Sequence, residues 1–346
     1  MQLPNTPSLY IQAAHQRNMS GKVPIWMMRQ AGRYMPEYRD IRARNSFLDM
    51  VKTPEIAAKI TLQPIEKFGM DAAILFSDIL VTAEALGSHL QFVEKVGPLI
   101  ENPSRTNDDV HALSTSDIPT KLAYVFEAIR HVKPSLKNTP LIGFAGAPFT
   151  VASYMIEGKS SSDLSTVKKL MFTQPEVVHA LLEKLTGVTI DYLNGQIEAG
   201  VDALQLFDTW AMHLSWEAFQ TFSLNYIQRI LSQLHNPRHI PVTIFCKGSS
   251  VFAPLIAQTG CQVVSLDWQC SLKNMRTILP NSVAIQGNLD PHYLYASDAI
   301  LKTEVYRILE EMRGHSGYIF NLGHGLMPDM NPDQVKKVVD WVQSYD

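Results

Sequence analysis

Cysteine is scarce in this chain: 346 residues carry only Cys246, Cys261 and Cys270. Three irregularly spaced thiols build no disulfide framework, and no CxxC or His-x-Cys pair stands ready to grip a soft metal. A reducing cytoplasm is the expected compartment, with no metal and no cofactor. Long apolar runs are missing too. No stretch approaches the roughly 18 residues of a membrane helix. The opening MQLPNTPSLYIQAAHQ lacks the basic and apolar regions of a secretory signal, so a soluble, unprocessed protein is expected. Neither sign of charge dominates. Thirty Lys and Arg against 33 Asp and Glu leave −3, which gives no general attraction to nucleic acid or an anionic membrane. A small-molecule partner is what remains.

What is present is a large apolar fraction, 46%, spread without a break in composition, so residues 1–346 are expected to form a single domain with a substantial core. Short apolar runs rich in branched residues recur at 24–29, 72–76, 141–145, 203–208, 241–246, 263–267, 283–287 and 318–323. Between them, segments such as 175–199, 216–234 and 298–313 repeat apolar residues at three- and four-residue steps, the period of a helix covering a sheet. Eight alternating units in one chain predict an α/β fold, a single-domain (β/α)8 TIM barrel with its active-site cleft at the C-terminal ends of the strands. Residues 90–119 are polar and interrupted, an excursion between the second and third strands with room for a hairpin.

The chemically rich residues fall at or just after the ends of these runs: Arg29, Asp78, Gly146, Asp208 with Thr209, Lys247, Asp267, Asn288 and His324. Parallel strands would bring them to one face. The most informative stretch is 24–39, PIWMMRQAGRYMPEYR, which with Arg42 crowds four arginines among Gln30, Gly32 and Pro36. A guanidinium is always charged and forks onto carboxylate or phosphate, so fixed arginines on a loop point to a multiply anionic ligand, although a solvated basic loop has the same composition. Asp78 emerges from nearly apolar surroundings and needs a compensating donor or cation, as a helix cap or as a reacting group. Tyr154 follows the turn-prone Gly143–Gly146 region and a helix starting near Thr150; its hydroxyl suits a carboxylate or an ordinary core partner. Thr209 is either a helix cap or a contact. His324, between two glycines, is open to four roles: structural, metal-ligating, proton-donating or carboxylate-binding. Phe47, Phe76, Phe144 and Phe207 are candidate apolar walls.

The 24–39 segment, FSDIL at 76–80, GFAGAPFTVASYMIEG at 143–158, FDTW at 207–210, QGNLD at 286–290 and NLGHGL at 321–326 together resemble the uroporphyrinogen decarboxylase family over nearly the whole length. The resemblance implies cofactor-free removal of CO2 from the four acetate side chains of uroporphyrinogen III, giving coproporphyrinogen III in haem biosynthesis. It implies a tetrapyrrole as partner and a homodimer. It also implies a site in which Asp78 is catalytic and Arg29, Gln30, Ala31, Gly32, Arg33, Phe47, Asp78, Tyr154, Thr209 and His324 bind substrate, with help from Arg39 or Arg42. Two other readings stay open: a zinc-dependent corrinoid methyltransferase of the same superfamily, against which the cysteine pattern argues, and a tetrapyrrole-binding protein that does not react.

Overall fold

The computed structural model describes residues 7–93, 96–248 and 250–345. Nine strands are named here in chain order: β1 (Ala73–Ile74), β2 (Leu90–Val93), β3 (Gly97–Ile100), β4 (Leu141–Gly146), β5 (Ala203–Phe207), β6 (Val242–Phe245), β7 (Val263–Ser265), β8 (Ala284–Leu289) and β9 (Tyr318–Leu322). Seven of them form one sheet in the order β1-β4-β5-β6-β7-β8-β9. Every neighbouring pair is parallel, with Gly143 opposite Leu204 and Val264 opposite Ile285, for example. Each link must therefore cross back over the sheet, and the amphipathic segments do so as helices. Burial on both faces explains why these strands read as continuous apolar runs rather than alternating ones: all six residues of β4 and all five of β9 are buried.

The expected first strand, 24–29, is a correction. It makes one parallel bridge, Ile25 to Phe320, rather than a ladder. Phe320 N–H donates to Pro24 O at 2.9 Å, and on the other side Asp71 N–H donates to Ile25 O at 2.8 Å, so the segment still lies between β9 and β1. The ladder fails for local reasons. Pro24 has no N–H, the Met27 N–H goes to Gln30 Oε1 at 3.1 Å, and the Met28 N–H goes to Asn321 Oδ1 at 3.0 Å.

Two cores result. One packs helices on the outside of the sheet, including Pro54–Phe68, Pro175–Ala199, Asp298–Glu311 and Pro332–Gln343. The other is enclosed by the curl and gathers Trp26, Ala72, Ile142, Ala203, Val263, Ala284 and Ile319 under Tyr10, Ala13 and Ala14 of the helix Leu9–Ala14. Each fully buried Ile or Val there contributes about 1.5–3 kcal/mol. Above this layer, Trp26 Nε1–H donates to Gln286 Oε1 at 2.8 Å, and Gln286 Nε2–H donates to Ser265 Oγ at 2.9 Å. The 216–234 helix is divided into Trp216–Phe219, a π-type turn Gln220–Leu224 and Asn225–Gln233, and the wide turn holds Ser223, whose hydroxyl donates to buried Asp208. The 90–119 excursion does carry a hairpin, β2 antiparallel to β3. Among the described residues, no helix is long and apolar enough to cross a membrane.

Candidate active site

The arginine loop is built to present Arg29. Gln30 is fully buried: its side-chain oxygen accepts from Met27 N–H, its amide donates to Ala72 O at 3.0 Å, and its own carbonyl accepts the Tyr34 hydroxyl at 2.7 Å. That brace holds Arg29 in a left-handed turn, φ 61, a conformation that costs a non-glycine residue about 1–2 kcal/mol. The Arg29 side chain then lies flat over Gly325, where a Cβ would meet its Cδ at 2.3 Å and its Cγ at 2.6 Å. Arg29 is exposed yet walled in by protein, as expected at the floor of an open cleft, and burial is the main force lowering its affinity for a proton. Tyr154 and Asp78 oppose that shift, and Arg33 adds to it. Arg33 is exposed, with Ala31 and Gly32 half-buried in the same turn. Among the described residues neither Arg29 nor Arg33 has an ion-pair partner. Arg39 and Arg42 differ. Arg39 donates to Arg33 O at 3.0 Å and Tyr34 O at 2.9 Å, and Arg42 to Asn45 O at 2.7 Å, so both are spent on holding the loop.

Asp78 stands beyond the C-terminal end of β1. Its carboxyl is pushed up to about 6, chiefly by burial, against the Leu80 N–H (2.8 Å) and the Arg29 guanidinium, which favour the charged form; Glu84 nearby adds to the rise. Both protonation states are thus accessible near neutrality. Opposite, Gly146 lets the end of β4 pack on Ile79, since a Cβ there would lie 3.0 Å from the Ile79 Cβ. The helix Pro148–Glu157 follows at once and carries Tyr154, half-buried, its ring edge-on to Trp210 at 5.7 Å and its hydroxyl kept protonated mainly by burial. Thr209 opens a 3-10 turn, Thr209–His213, after β5. Asp208 is a strut: fully buried, it accepts from Thr150 Oγ1 at 2.7 Å and from Ser223, while Trp210 N–H donates back to Thr150 Oγ1 at 3.1 Å. This knot fixes the helix bearing Tyr154 against the turn bearing Thr209.

His324 lies beside Arg29. The Gly325 N–H donates to its Nδ1 at 2.6 Å, which leaves the ring proton on Nε2. Burial first, then Arg29 and Lys247, push its pKa down to about 3. In the ligand-free protein it is therefore a neutral hydrogen-bond donor rather than a cation, and a donor still suits a carboxylate. Apolar walls flank these groups. Phe144, Phe207 and Phe245 form one band, with centroids 5.6 and 6.1 Å apart, and His324 stands edge-on to Phe245 at 5.9 Å. Phe47 belongs to a second band, 5.8 Å from Phe76 and 4.4 Å from Phe92 on β2.

Other strand-end residues are committed elsewhere. Asp267 accepts from Gly248 N–H at 2.5 Å and Gln269 N–H at 3.2 Å, and Asn288 donates to the Asp267 and Cys270 carbonyls. Lys247, half-buried after β6, adds positive charge near His324. Burial pushes the Cys261 thiol up to about 11 and the Cys270 thiol up to about 12. Among the described residues no three His, Cys, Asp or Glu side chains are grouped to hold a metal. A groove of about 330 Å3 at the opposite end of the sheet is lined by His15, Lys133, Asp202, Arg238 and His239. It is self-neutralised: Lys133 pairs with Asp202 at 2.5 Å and Arg238 donates to the Ile197 and Val201 carbonyls. Phe92 joins the site without a signal in the sequence, because only the hairpin's fold-back brings it in, whereas Trp210, the last residue of the FDTW stretch, is placed by the Asp208 knot.

Parallel strands, two arginines without ion-pair partners among the described residues, a neutral histidine donor, a carboxyl poised near neutrality and flanking aromatic rings define an α/β protein with a candidate anion-binding site at the strand ends. The chain belongs to the uroporphyrinogen decarboxylase family, whose sequence model, described as "Uroporphyrinogen decarboxylase (URO-D)", matches residues 6–345. Relatives named uroporphyrinogen decarboxylase include one from Protochlamydia amoebophila, 50% identical over 96% of this chain and 90% of its own length. Another, from Trichlorobacter lovleyi, is 48% identical over 93% of this chain and 94% of its own. A solved structure, a methyltransferase from Methanosarcina mazei, superposes with a TM-score of 0.83 over 98% of this chain and 99% of that one at 20% identity, which establishes a shared fold.

Proposed function

We propose that this protein is a uroporphyrinogen decarboxylase, removing CO2 from the four acetate side chains of uroporphyrinogen III to leave the methyl groups of coproporphyrinogen III. The observation that carries the reading is Asp78, a carboxyl with access to both charge states, set near Arg29, which makes no ion pair among the described residues. Loss of CO2 leaves an electron pair that needs an acceptor. A pyrrole protonated at a ring α-carbon is one: the cation is conjugated to the acetate methylene, CO2 leaves, the methylene carbon is protonated to methyl, and the ring α-carbon gives up its added proton to restore the pyrrole.

In this reading the chain's work is electrostatic. Arg29 and Arg33 pair with substrate carboxylates, and His324 Nε2–H, Tyr154 and Thr209 orient the macrocycle. Gln30, Ala31 and Gly32 shape the turn that presents Arg29. Phe47 and the other aromatic residues exclude water from the rings, which strengthens every charge interaction inside. Asp78 faces the pyrrole nitrogens and stabilises the cation as it forms. A closed (β/α)8 barrel, with 24–28 as its eighth, irregular stave, agrees with the hydrogen bonds on both sides of that segment. A homodimer in the cytoplasm is proposed with it. The test is anaerobic incubation with uroporphyrinogen, then oxidation and detection of coproporphyrin; binding without coproporphyrin would mark a carrier.

A further inference from the structure

Around Asp78 lie three hydroxyls for which the site as described has no use. Ser77 directly precedes it, Tyr124 stands on the helix Ala123–Leu136, and Tyr192 is on Pro175–Ala199. Ser77 Oγ, Tyr124 Oη and Tyr192 Oη are buried and, among the described residues, complete no full hydrogen bond, the Tyr192 and Ser77 hydroxyls only approaching each other. Tyr192 is only 1% exposed. Burying an unpartnered hydroxyl costs free energy, and Ala or Phe would fill the same core without that cost, so packing does not account for three of them together. Their order in space is informative. The Tyr192 hydroxyl neighbours that of Ser77 and senses Asp78, whereas the Tyr124 hydroxyl senses Tyr192, Glu84 and Asp78. Glu84 pairs with the exposed Lys52 at 2.6 Å and is itself partly open to solvent.

The chemistry supplies a need for such a row. Converting a carboxylate side chain, R–CH2–COO−, to R–CH3 and CO2 takes up one proton, so each substrate consumes four. A macrocycle seated over Asp78 would cover the cleft side of the carboxyl while those protons are required. We propose that Ser77, Tyr192 and Tyr124, with bridging water, form a proton relay from the Glu84 edge to Asp78; the inference rests on the decarboxylase reading. In each cycle the Asp78 O–H bond breaks as the C–H bond to the ring α-carbon forms; after CO2 leaves, the reprotonated Asp78 gives a second proton to the methylene carbon and takes back the one on the ring α-carbon, so the net uptake is one proton and the pyrrole is restored. Ser77 then gives its proton to the Asp78 carboxylate and takes one from Tyr192, which takes one from Tyr124. Tyr124 is replenished from hydronium at Glu84. A hydroxyl both donates and accepts, so no member changes its net charge and nothing is oxidised or reduced. These are positioning residues that act through Asp78, which also faces Arg29 and Tyr154.

The test uses Tyr192→Phe, Tyr124→Phe, the double variant and Ser77→Ala. Single-turnover decarboxylation of uroporphyrinogen is followed anaerobically in H2O and D2O, with coproporphyrinogen binding and melting temperature measured alongside. The relay predicts product affinity within about twofold, a rate at least about fivefold lower in the double variant, and a larger solvent isotope effect, because proton delivery becomes slower. A double variant with the parental rate and isotope effect overturns it. So does a loss of rate matched by equal losses of affinity and melting temperature, which marks a structural role. If the phenylalanine variants do not fold, Ser77→Ala carries the same two outcomes. A parent that binds without releasing CO2 overturns the decarboxylase reading instead, a result distinguishable from a working parent with unaffected variants.

Discussion

Gly325→Ala separates the account of the arginine from a general account of the loop. Gly325 has no positive φ, so alanine fits the backbone. The new Cβ would nevertheless stand 2.3, 2.6 and 2.8 Å from Arg29 Cδ, Cγ and Nε. Those atoms belong to a flexible side chain, so the strain is relieved by moving Arg29 off its seat rather than by unfolding the loop. In the proposed reading the guanidinium then loses its place opposite a substrate carboxylate. A charge-assisted hydrogen bond contributes about 1.5–3 kcal/mol, so the dissociation constant should rise by roughly ten- to a hundredfold. The shift in melting temperature should be small, since only a side chain leaves its place. Anaerobic titration with coproporphyrinogen, the proposed product, reads affinity, and calorimetry reads stability. Parental affinity in a folded Gly325→Ala variant would refute the placement of Arg29 as an anion-binding group.

Arg29→Lys should recover only part of the affinity lost in Arg29→Ala, because an ammonium lacks the bidentate fork, while Arg39→Ala should destabilise the loop by about 1 kcal/mol through its two orphaned carbonyls; titration and melting read the two. His324 should remain unprotonated from pH 5 to 8 in the free protein, its pKa pushed down to about 3, and imidazole NMR shifts check this; because the unfolded histidine binds a proton below about 6.5, the residue contributes to acid lability. Asp78 acts in the opposite sense. Between about pH 4 and its folded pKa of about 6 the folded state holds a proton that the unfolded state has lost, so stability falls as pH rises through that window. Asp78→Asn should therefore melt higher than the parent at pH 7, by on the order of 1 kcal/mol after solvent screening, and the gain should vanish below pH 4.

Most of the architecture was legible because a parallel sheet buried on both faces leaves continuous apolar runs, and seven of the eight expected runs are strands of that sheet. The helix expected over 175–199 is Pro175–Ala199 itself. The failure at 24–29 has a visible cause in hindsight: Gln30 and Asn321 supply side-chain acceptors to backbone donors that a ladder would have used, and no periodicity records a side chain reaching across 293 positions. The strand-end rule gathered Arg29, Asp78, Thr209 and His324 on one face. It could not separate Asp78 from Asp208 and Asp267, because the difference lies in partners: two hydroxyls for Asp208, backbone N–H groups for Asp267. It likewise treated four arginines alike, although two are spent on carbonyls. The hydroxyls of Tyr124 and Tyr192 gave no signal, since each sits on an ordinary amphipathic helix.

The most direct test of the account is the comparison of binding with turnover in Asp78→Asn. The substitution keeps shape and an acceptor oxygen for the Leu80 N–H but removes both the proton and the charge. Coproporphyrinogen affinity and single-turnover decarboxylation of uroporphyrinogen are measured on the same folded preparation. A carboxylate acting mainly on the transition-state cation, worth roughly 3 kcal/mol there, predicts a rate about a hundredfold lower with affinity changed only a few-fold. Decarboxylation at the parental rate would contradict the central claim and remove Asp78 from the chemistry.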